Sequence, residues 1–330
     1  MRPVKRENGS EGGNPRTFAA GTALGAETTP RLTMRRPPAD ALSMREAATP
    51  ACAKINLTLR VGARRPDGYH EIESLVARVG LCDTVRVRLR HDARFTIACD
   101  DDDVPSDESN LALRAAAALA DAAGIRSRGV HIELHKRIPA GAGLGGGSAD
   151  AAAVLRTLND LWGARLSRET LLQIAAGIGS DAPLFLHGPL CVIRGRGEQV
   201  IELPRPLAGW AVLVLPDIRC STRDVYAAFD RLRPEARPSA EEVLGRADSC
   251  AALMPHLFND LEPAAFDLYP ALARLAEQTS KLAGGAVRMS GSGSCLYRLQ
   301  DGESDARAFA QAVTARLGTR VETVVIGASA

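Results

Sequence analysis

No stretch of this 330-residue chain offers the run of about 20 uncharged apolar residues that a helix needs to cross a bilayer. The Ala-rich segment at 115–118 sits beside Arg114 and Asp121 and reads as ordinary helix. Net charge is equally scarce. Lys and Arg total 41 against 39 Asp and Glu, a formal +2, which is too weak a field to argue for nucleic acid and leaves no acidic tail. There is no C-x-x-C pair among the seven cysteines, which are scattered and odd in number. Zinc sites and disulfide frameworks need regular spacing. The expectation is therefore buried, reduced thiols in a cytoplasmic protein. No internal repeat recurs at a fixed period. Hydrophobic residues at 45% and charged residues at 24% are enough for a proper core. The length suits one large domain or two of ordinary size.

Residues 1–47 stand apart. They are rich in Gly, Pro, Thr, Arg and Glu without a sustained period, and are expected to be a disordered extension. They lack the apolar centre of a secretory signal, and Glu7, Glu11, Glu27 and Glu46 argue against a transit peptide. Met34 and Met44 leave open a later translation start. From there the chain divides into expected units at 48–203 and 204–330, with Pro204 and Pro206 at the boundary.

Alternation of Ala53, Ile55, Leu57, Leu59 and Val61 predicts a half-buried strand whose other face carries Lys54, Asn56, Thr58 and Arg60. Strands are also expected at 84–90, 130–134, 190–193, 210–215, 295–299 and 321–326. Helices are expected at 110–123, 148–162, after Ser167 and at 306–317, with a polar loop around 233–242. Strands and helices mix without a regular βαβ repeat, so the fold class is α+β in two halves.

The most informative stretch is Pro139, Ala140, Gly141, Ala142, Gly143, Leu144, Gly145, Gly146, Gly147, Ser148, Ala149. Five glycines in seven positions do not serve packing, and each adds backbone entropy that folding must offset. They suit a loop whose N–H groups crowd an anion, with the following helix pointing its positive end at the same place. A Walker A loop fails because Gly147 stands where Lys is required. The dinucleotide fingerprint is literally present at Gly141, Gly143 and Gly146, but Pro139 intervenes before it and a helical region follows. A protein-kinase glycine loop lies between two strands. A flexible linker does not run between a strand and a well-patterned helix.

This loop resembles the second motif of the GHMP kinases (galactokinase, homoserine kinase, mevalonate kinase, phosphomevalonate kinase). The segments Ala53-Lys-Ile-Asn-Leu57 and Met289-Ser-Gly-Ser-Gly-Ser294 resemble the first and third motifs, in the right order. Together with Arg65-Pro-Asp-Gly-Tyr-His70, Gly179-Ser-Asp-Ala-Pro183 and Asn259-Asp-Leu-Glu262, the match looks most like the branch that phosphorylates 4-diphosphocytidyl-2-C-methyl-D-erythritol. Ala142 departs from the pattern, where relatives commonly carry Gly.

The resemblance implies a two-domain fold, a ribosomal-protein-S5-domain-2-like N-terminal domain and an α/β-plait-like C-terminal domain, with the glycine loop binding ATP. It implies transfer of the γ-phosphate to the 2-hydroxyl of the methylerythritol unit, in the non-mevalonate isoprenoid pathway. It gives Lys54 and Asp181 catalytic roles: Asp181 as the acceptor of the hydroxyl proton, Lys54 as the charge that keeps it ionised. Substrate contacts fall to Asn56, Tyr69, His70 and Tyr226, the aromatic rings suiting a cytosine face. Mg²⁺ should accompany ATP without a dedicated carboxylate cage. Asp100–Asp103 reads as a solvated loop, and Lys136 and Arg137 as phosphate contacts or a solvated pair. The other readings are a homoserine- or mevalonate-type member, or a non-catalytic binding protein on the same scaffold. The expected partner is a small molecule, with neither nucleic acid nor membrane, and the chain a monomer or homodimer.

Overall fold

The computed structural model of the chain describes residues 46–204, 207–232 and 236–328. The extension expected at 1–47 lies outside the described residues except for Glu46 and Ala47, as do Pro206 and part of the loop expected at 233–242.

The alternation at 53–61 becomes two strands, β1 (Glu46–Asn56) and β2 (Thr58–Arg64), which part at Leu57. Both pair antiparallel with β3 (His70–Leu89), a strand of 20 residues. Only the end of β3 shows in the sequence. Leu75, Val76 and Ala77 are buried in succession, so both faces are covered and alternation disappears. β4 (Phe95–Cys99) pairs parallel with β5 (Val130–His135), which pairs with the C-terminal half of β3.

Two helices pack on this sheet, α1 (Leu111–Ala122) and α2 (Gly146–Leu161), and α3 (Arg168–Ile178) packs on those helices. Asn110 and Ser167 cap α1 and α3 by accepting the N–H groups of Ala112 and Thr170. Ala112, Ala115 and Ala116 of α1 and Ala149 and Ala151–Ala153 of α2 are buried in one core; such small side chains let helix axes approach. A short 3-10 turn at Ala182–Leu186 leads into β6 (Leu190–Gly195) and β7 (Gln199–Glu202), which extend the sheet from the first half of β3.

The second sheet is built on β8 (Trp210–Leu215). After it come α4 (Thr222–Phe229), α5 (Ala240–Leu244), α6 (Cys250–Leu253), β9 (Phe258–Asn259), α7 (Glu262–Leu268) and α8 (Pro270–Ala283). β10 (Arg288–Met289), β11 (Leu296–Gln300), α9 (Glu303–Leu317) and β12 (Arg320–Val325) follow. The strand order is β10-β11-β8-β12, antiparallel throughout. β9 crosses to the first sheet and pairs parallel with β2, completing its eight strands.

β8 explains its own unbroken apolar run. Ala211, Leu213 and Leu215 face a core shared with Ile55, Leu57 and Leu75 of the first sheet. Val212 and Val214 face a separate core with Val225 of α4, Leu272 of α8 and Phe309 of α9. The α+β class therefore holds, and the apolar core between the sheets joins residues on both sides of position 204.

One expectation about the cysteines fails. Cys52 and Cys82 stand opposite each other in the β1–β3 register and form a disulfide across a separation of 30 residues. Strand pairing brings the two sulfurs together, and linear spacing does not reveal it. The other five cysteines are free thiols, four of them buried. No helix among the described residues is long and apolar enough to cross a membrane.

Candidate active site

The glycine loop starts where β5 ends. Asp83, fully buried, accepts the N–H groups of Arg137 at 2.6 Å and Ile138 at 2.9 Å, which fixes the chain's entry into the loop. The Lys136 ammonium is buried between the Asp83 and Asp150 carboxylates, 2.6 Å from the latter. Lys136 is thus neither a solvated charge nor free for a phosphate; two acids hold it. Arg137 is exposed and reaches towards Glu322 at 3.5 Å. Two carboxylates sharing one ammonium cannot both ionise freely. Asp83 also holds two N–H groups, so burial acts on Asp150, whose Oδ1 has no partner among the described residues, and pushes its pKa up to about 7.

Gly141, Gly143 and Gly145 all have left-handed φ, at +70°, +75° and +72°. At Gly143 a side chain is also excluded by space, because a Cβ would meet Ser290 O at 2.1 Å. α2 begins at Gly146, two residues before the predicted start, since Gly145 and not Ser148 occupies the cap position. Ser148 therefore lies in the first turn. The N–H groups of Gly146, Gly147 and Ser148 precede the first intrahelical bond, from Ala149 N–H to Gly145 O. Residues 139–148 wall a pocket of about 540 Å³ with Asn110, Lys136 and Asp150, while Ala149 faces the core. Asp103, from the acidic loop, also lines this pocket and pairs with the exposed Arg219.

The third glycine motif is clasped to the second. Ser290 Oγ donates to Gly143 O at 2.9 Å and accepts Asn56 N–H at 3.2 Å. Asn259 Nδ2 donates to Met289 O and Gly291 O, at 2.9 and 2.7 Å. Tyr297 OH donates to Asn56 O at 2.8 Å. The N–H of Lys54 donates to Leu144 O at 3.0 Å, so β1 is tied to the same loop.

The polar face of β1, expected at a half-exposed surface, is buried at Lys54 and Asn56 because it turns towards a cleft. Lys54 Nζ donates to Asn56 Oδ1 at 2.7 Å and lies 3.6 Å from Asp181 Oδ2. Asn56 Nδ2 donates to Ser74 Oγ at 2.8 Å, which fixes the amide. Asp181 follows the extended Gly179 at the end of α3 and opens the 3-10 turn. Ser148, on the wall of the glycine-loop pocket, lies near Gly179: a Cβ there would stand 3.8 Å from its Oγ.

The cleft holds about 680 Å³. Lys54, Asn56 and Asp181 line it together with Tyr69, His70 and Tyr226. The structure thus brings every predicted acceptor-side residue into one space. His70 Nε2 lies 2.7 Å from Asp230 Oδ1. Its ring centroid is 5.2 Å from that of Tyr226 and 6.1 Å, edge-on, from Phe229. Tyr226 is half-buried on the cleft wall; burial of its hydroxyl, then the nearby Asp181 charge, pushes that group well above the ordinary range. Tyr69 is the opposite case, 53% exposed, with the Arg196 guanidinium 5.1 Å above its ring. Asp230, Ser74 and Arg196 escaped the sequence reading, and Ser290 was legible there only as part of the third glycine motif. Only Arg196 left a signal, a cation held between Gly195 and Gly197.

The patterns described as GHMP kinases N terminal domain and GHMP kinases C terminal match residues 110–189 and 239–319. A 4-diphosphocytidyl-2-C-methyl-D-erythritol kinase of Brevibacillus brevis is 39% identical over 256 residues, 77% of this chain and 87% of the relative. The enzyme of the same name from Shouchella clausii is 41% identical over 256 residues, 77% and 86%. A crystal structure of 4-(cytidine 5'-diphospho)-2C-methyl-D-erythritol kinase superposes with a TM-score of 0.72 at 36% identity, covering 86% of this chain and all of that one. The chain belongs to the GHMP kinases, and within them to the 4-diphosphocytidyl-2-C-methyl-D-erythritol kinases.

Proposed function

We propose that this chain is the ATP-dependent kinase that phosphorylates the 2-hydroxyl of 4-diphosphocytidyl-2-C-methyl-D-erythritol, a step of the non-mevalonate isoprenoid pathway. The observation that carries this reading is the shared cleft: a lysine–aspartate pair and an aromatic–histidine cluster line one cavity of about 680 Å³, and the glycine loop opens beside it.

The glycine loop suits the triphosphate because its glycines leave room where Cβ atoms would stand and the first turn of α2 presents free N–H groups. Mg²⁺ would be held by the phosphates and the Ser148 hydroxyl, and would neutralise charge building between the β- and γ-phosphates. On the protein's side, Asp181 accepts the proton of the 2-hydroxyl as its oxygen bonds to the γ-phosphorus. The bond from that phosphorus to the ADP oxygen breaks, and the proton stays on the carboxyl until product leaves. Lys54, 3.6 Å away, offers positive charge to the moving phosphoryl group. Asn56 holds Lys54 in that position. Tyr69, His70 and Tyr226 receive the cytosine.

The test is ADP release by the purified protein with Mg-ATP, with and without the cytidyl acceptor, with homoserine and mevalonate in parallel and Asp181→Ala as control. Turnover with the cytidyl acceptor alone, lost in the variant, supports both substrate and base. Turnover with homoserine or mevalonate instead sinks the substrate assignment.

A further inference from the structure

We infer that Ser74 is a positioning residue for the phosphoryl transfer: its hydroxyl fixes the Asn56 amide and, through it, the Lys54 ammonium. This rests on the kinase reading above and adds to it a residue that lies outside every sequence motif.

The need for such a residue arises at the fork where β1 gives way to β2. The pairing of β1 with β3 ends at Asn56 opposite Val76, and that of β2 begins at Arg60 opposite Glu73. Between them the regular ladder is interrupted, and the buried backbone groups there need other partners. Leu57 N–H still reaches Leu75 O at 2.7 Å, and Leu75 N–H donates to the Thr58 hydroxyl at 2.9 Å. The Thr58 carbonyl is met by the side chain of Ser74, which is fully buried and donates its hydroxyl proton to it. Leu75 O stands further from that hydroxyl, at 3.5 Å.

This commitment sets a direction. A hydroxyl has one proton and two lone pairs. With the proton spent on Thr58 O, Ser74 Oγ meets Asn56 as an acceptor and takes an N–H from Nδ2 at 2.8 Å. Asn56 is thereby turned with Oδ1 towards Lys54, whose ammonium donates to it at 2.7 Å. An ammonium has donors only, so the opposite orientation of the amide would set donor against donor. The series Thr58, Ser74, Asn56, Lys54 therefore runs in one sense and ends 3.6 Å from Asp181 Oδ2. The Asn56 backbone is held separately, its N–H by Ser290 Oγ at 3.2 Å and its carbonyl by Tyr297 OH at 2.8 Å. What these bonds leave free is rotation of the Asn56 side chain, and the Ser74 hydroxyl removes it.

The experiment measures kcat and both KM values for wild type, Ser74→Ala, Ser74→Thr, Asn56→Ala and the double variant Ser74→Ala/Asn56→Ala. Ser74→Ala is expected to lower kcat by about tenfold, the worth of a buried hydrogen bond whose loss leaves an amide unpaired, with the KM for ATP unchanged. Ser74→Thr keeps the hydroxyl and should hold kcat within about threefold of wild type. In the Asn56→Ala background the group through which Ser74 acts is gone, so adding Ser74→Ala should change kcat by less than about twofold. A wild-type kcat in Ser74→Ala overturns the inference, as does a loss in Ser74→Thr equal to that in Ser74→Ala. The same tenfold loss in the Asn56→Ala background also overturns it, because Ser74 would then act on the fold and not through the amide. Turnover of wild type with homoserine or mevalonate in place of the cytidyl acceptor would sink the acceptor reading alone, and the same series run with that acceptor would decide the role of Ser74. Absence of any wild-type turnover removes both.

Discussion

Lys54 Nζ stands 3.6 Å from the Asp181 carboxylate and 2.7 Å from Asn56 Oδ1, held from two sides in a buried position. Removing the proton acceptor should lower kcat by about a hundredfold to ten-thousandfold in Asp181→Asn, with ATP affinity retained. Lys54→Met should fall in the same range. Because the two groups act on one another, the double variant should lose far less than the product of the single losses. Multiplying losses in steady-state kinetics would show that they act independently, and the pairing proposed for them would be wrong.

Gly141 and Gly143 share a left-handed backbone but not their surroundings. A Cβ at Gly141 meets nothing within 4 Å; at Gly143 it would meet Ser290 O at 2.1 Å. Gly141→Ala should cost about 1–2 kcal/mol, the price of the backbone alone. Gly143→Ala must also part the second and third glycine motifs, and should cost about 3 kcal/mol or more and weaken ATP binding. Urea unfolding and ATP titration of both variants test the contrast. Equal losses would mean that the clasp through Ser290 does not hold the loop.

The glycine loop was legible in the sequence because glycines in that density serve nothing else, and Asn110 and Ser167 marked helix starts by simple capping chemistry. Burial on both faces hid most of β3: where both sides of a strand are covered, the period of two vanishes. Lys136 misled for a related reason. A lysine beside a phosphate loop looks like a ligand, and only the fold shows Asp83 and Asp150, 53 and 14 residues away, closing on its ammonium. Asp230 acts through a partner 160 residues distant, so no local pattern marks it; Ser290 stands in a visible motif, but its partner Gly143 is 147 residues away and only the fold shows the clasp.

Asp230 anchors His70. With Nε2 held at 2.7 Å, the ring lies against Tyr226 and Phe229. Asp230→Ala removes that partner without touching the glycine loop. The acceptor KM should rise by about tenfold, the value of a lost charge-assisted hydrogen bond, while the KM for ATP stays constant. A matching rise in both constants would point to a general disturbance of the fold and not to the orientation of His70.

Asp150 gives the fold a pH dependence of definite sign. Its ordinary value of 3.8 is raised to about 7, burial being the largest cause and the Asp83 charge adding to it against the pull of Lys136. The native state therefore binds this proton more tightly than the unfolded chain does. The resulting stability is complete below about pH 4 and is lost as pH climbs through about 7. Asp150→Asn carries no such proton, and its amide leaves Asp83 and Lys136 as a balanced pair. The urea midpoint of the variant should therefore gain on wild type between pH 5 and pH 8. A difference that is flat across that range would mean that Asp150 is ionised throughout, and that Lys136 offsets its burial completely.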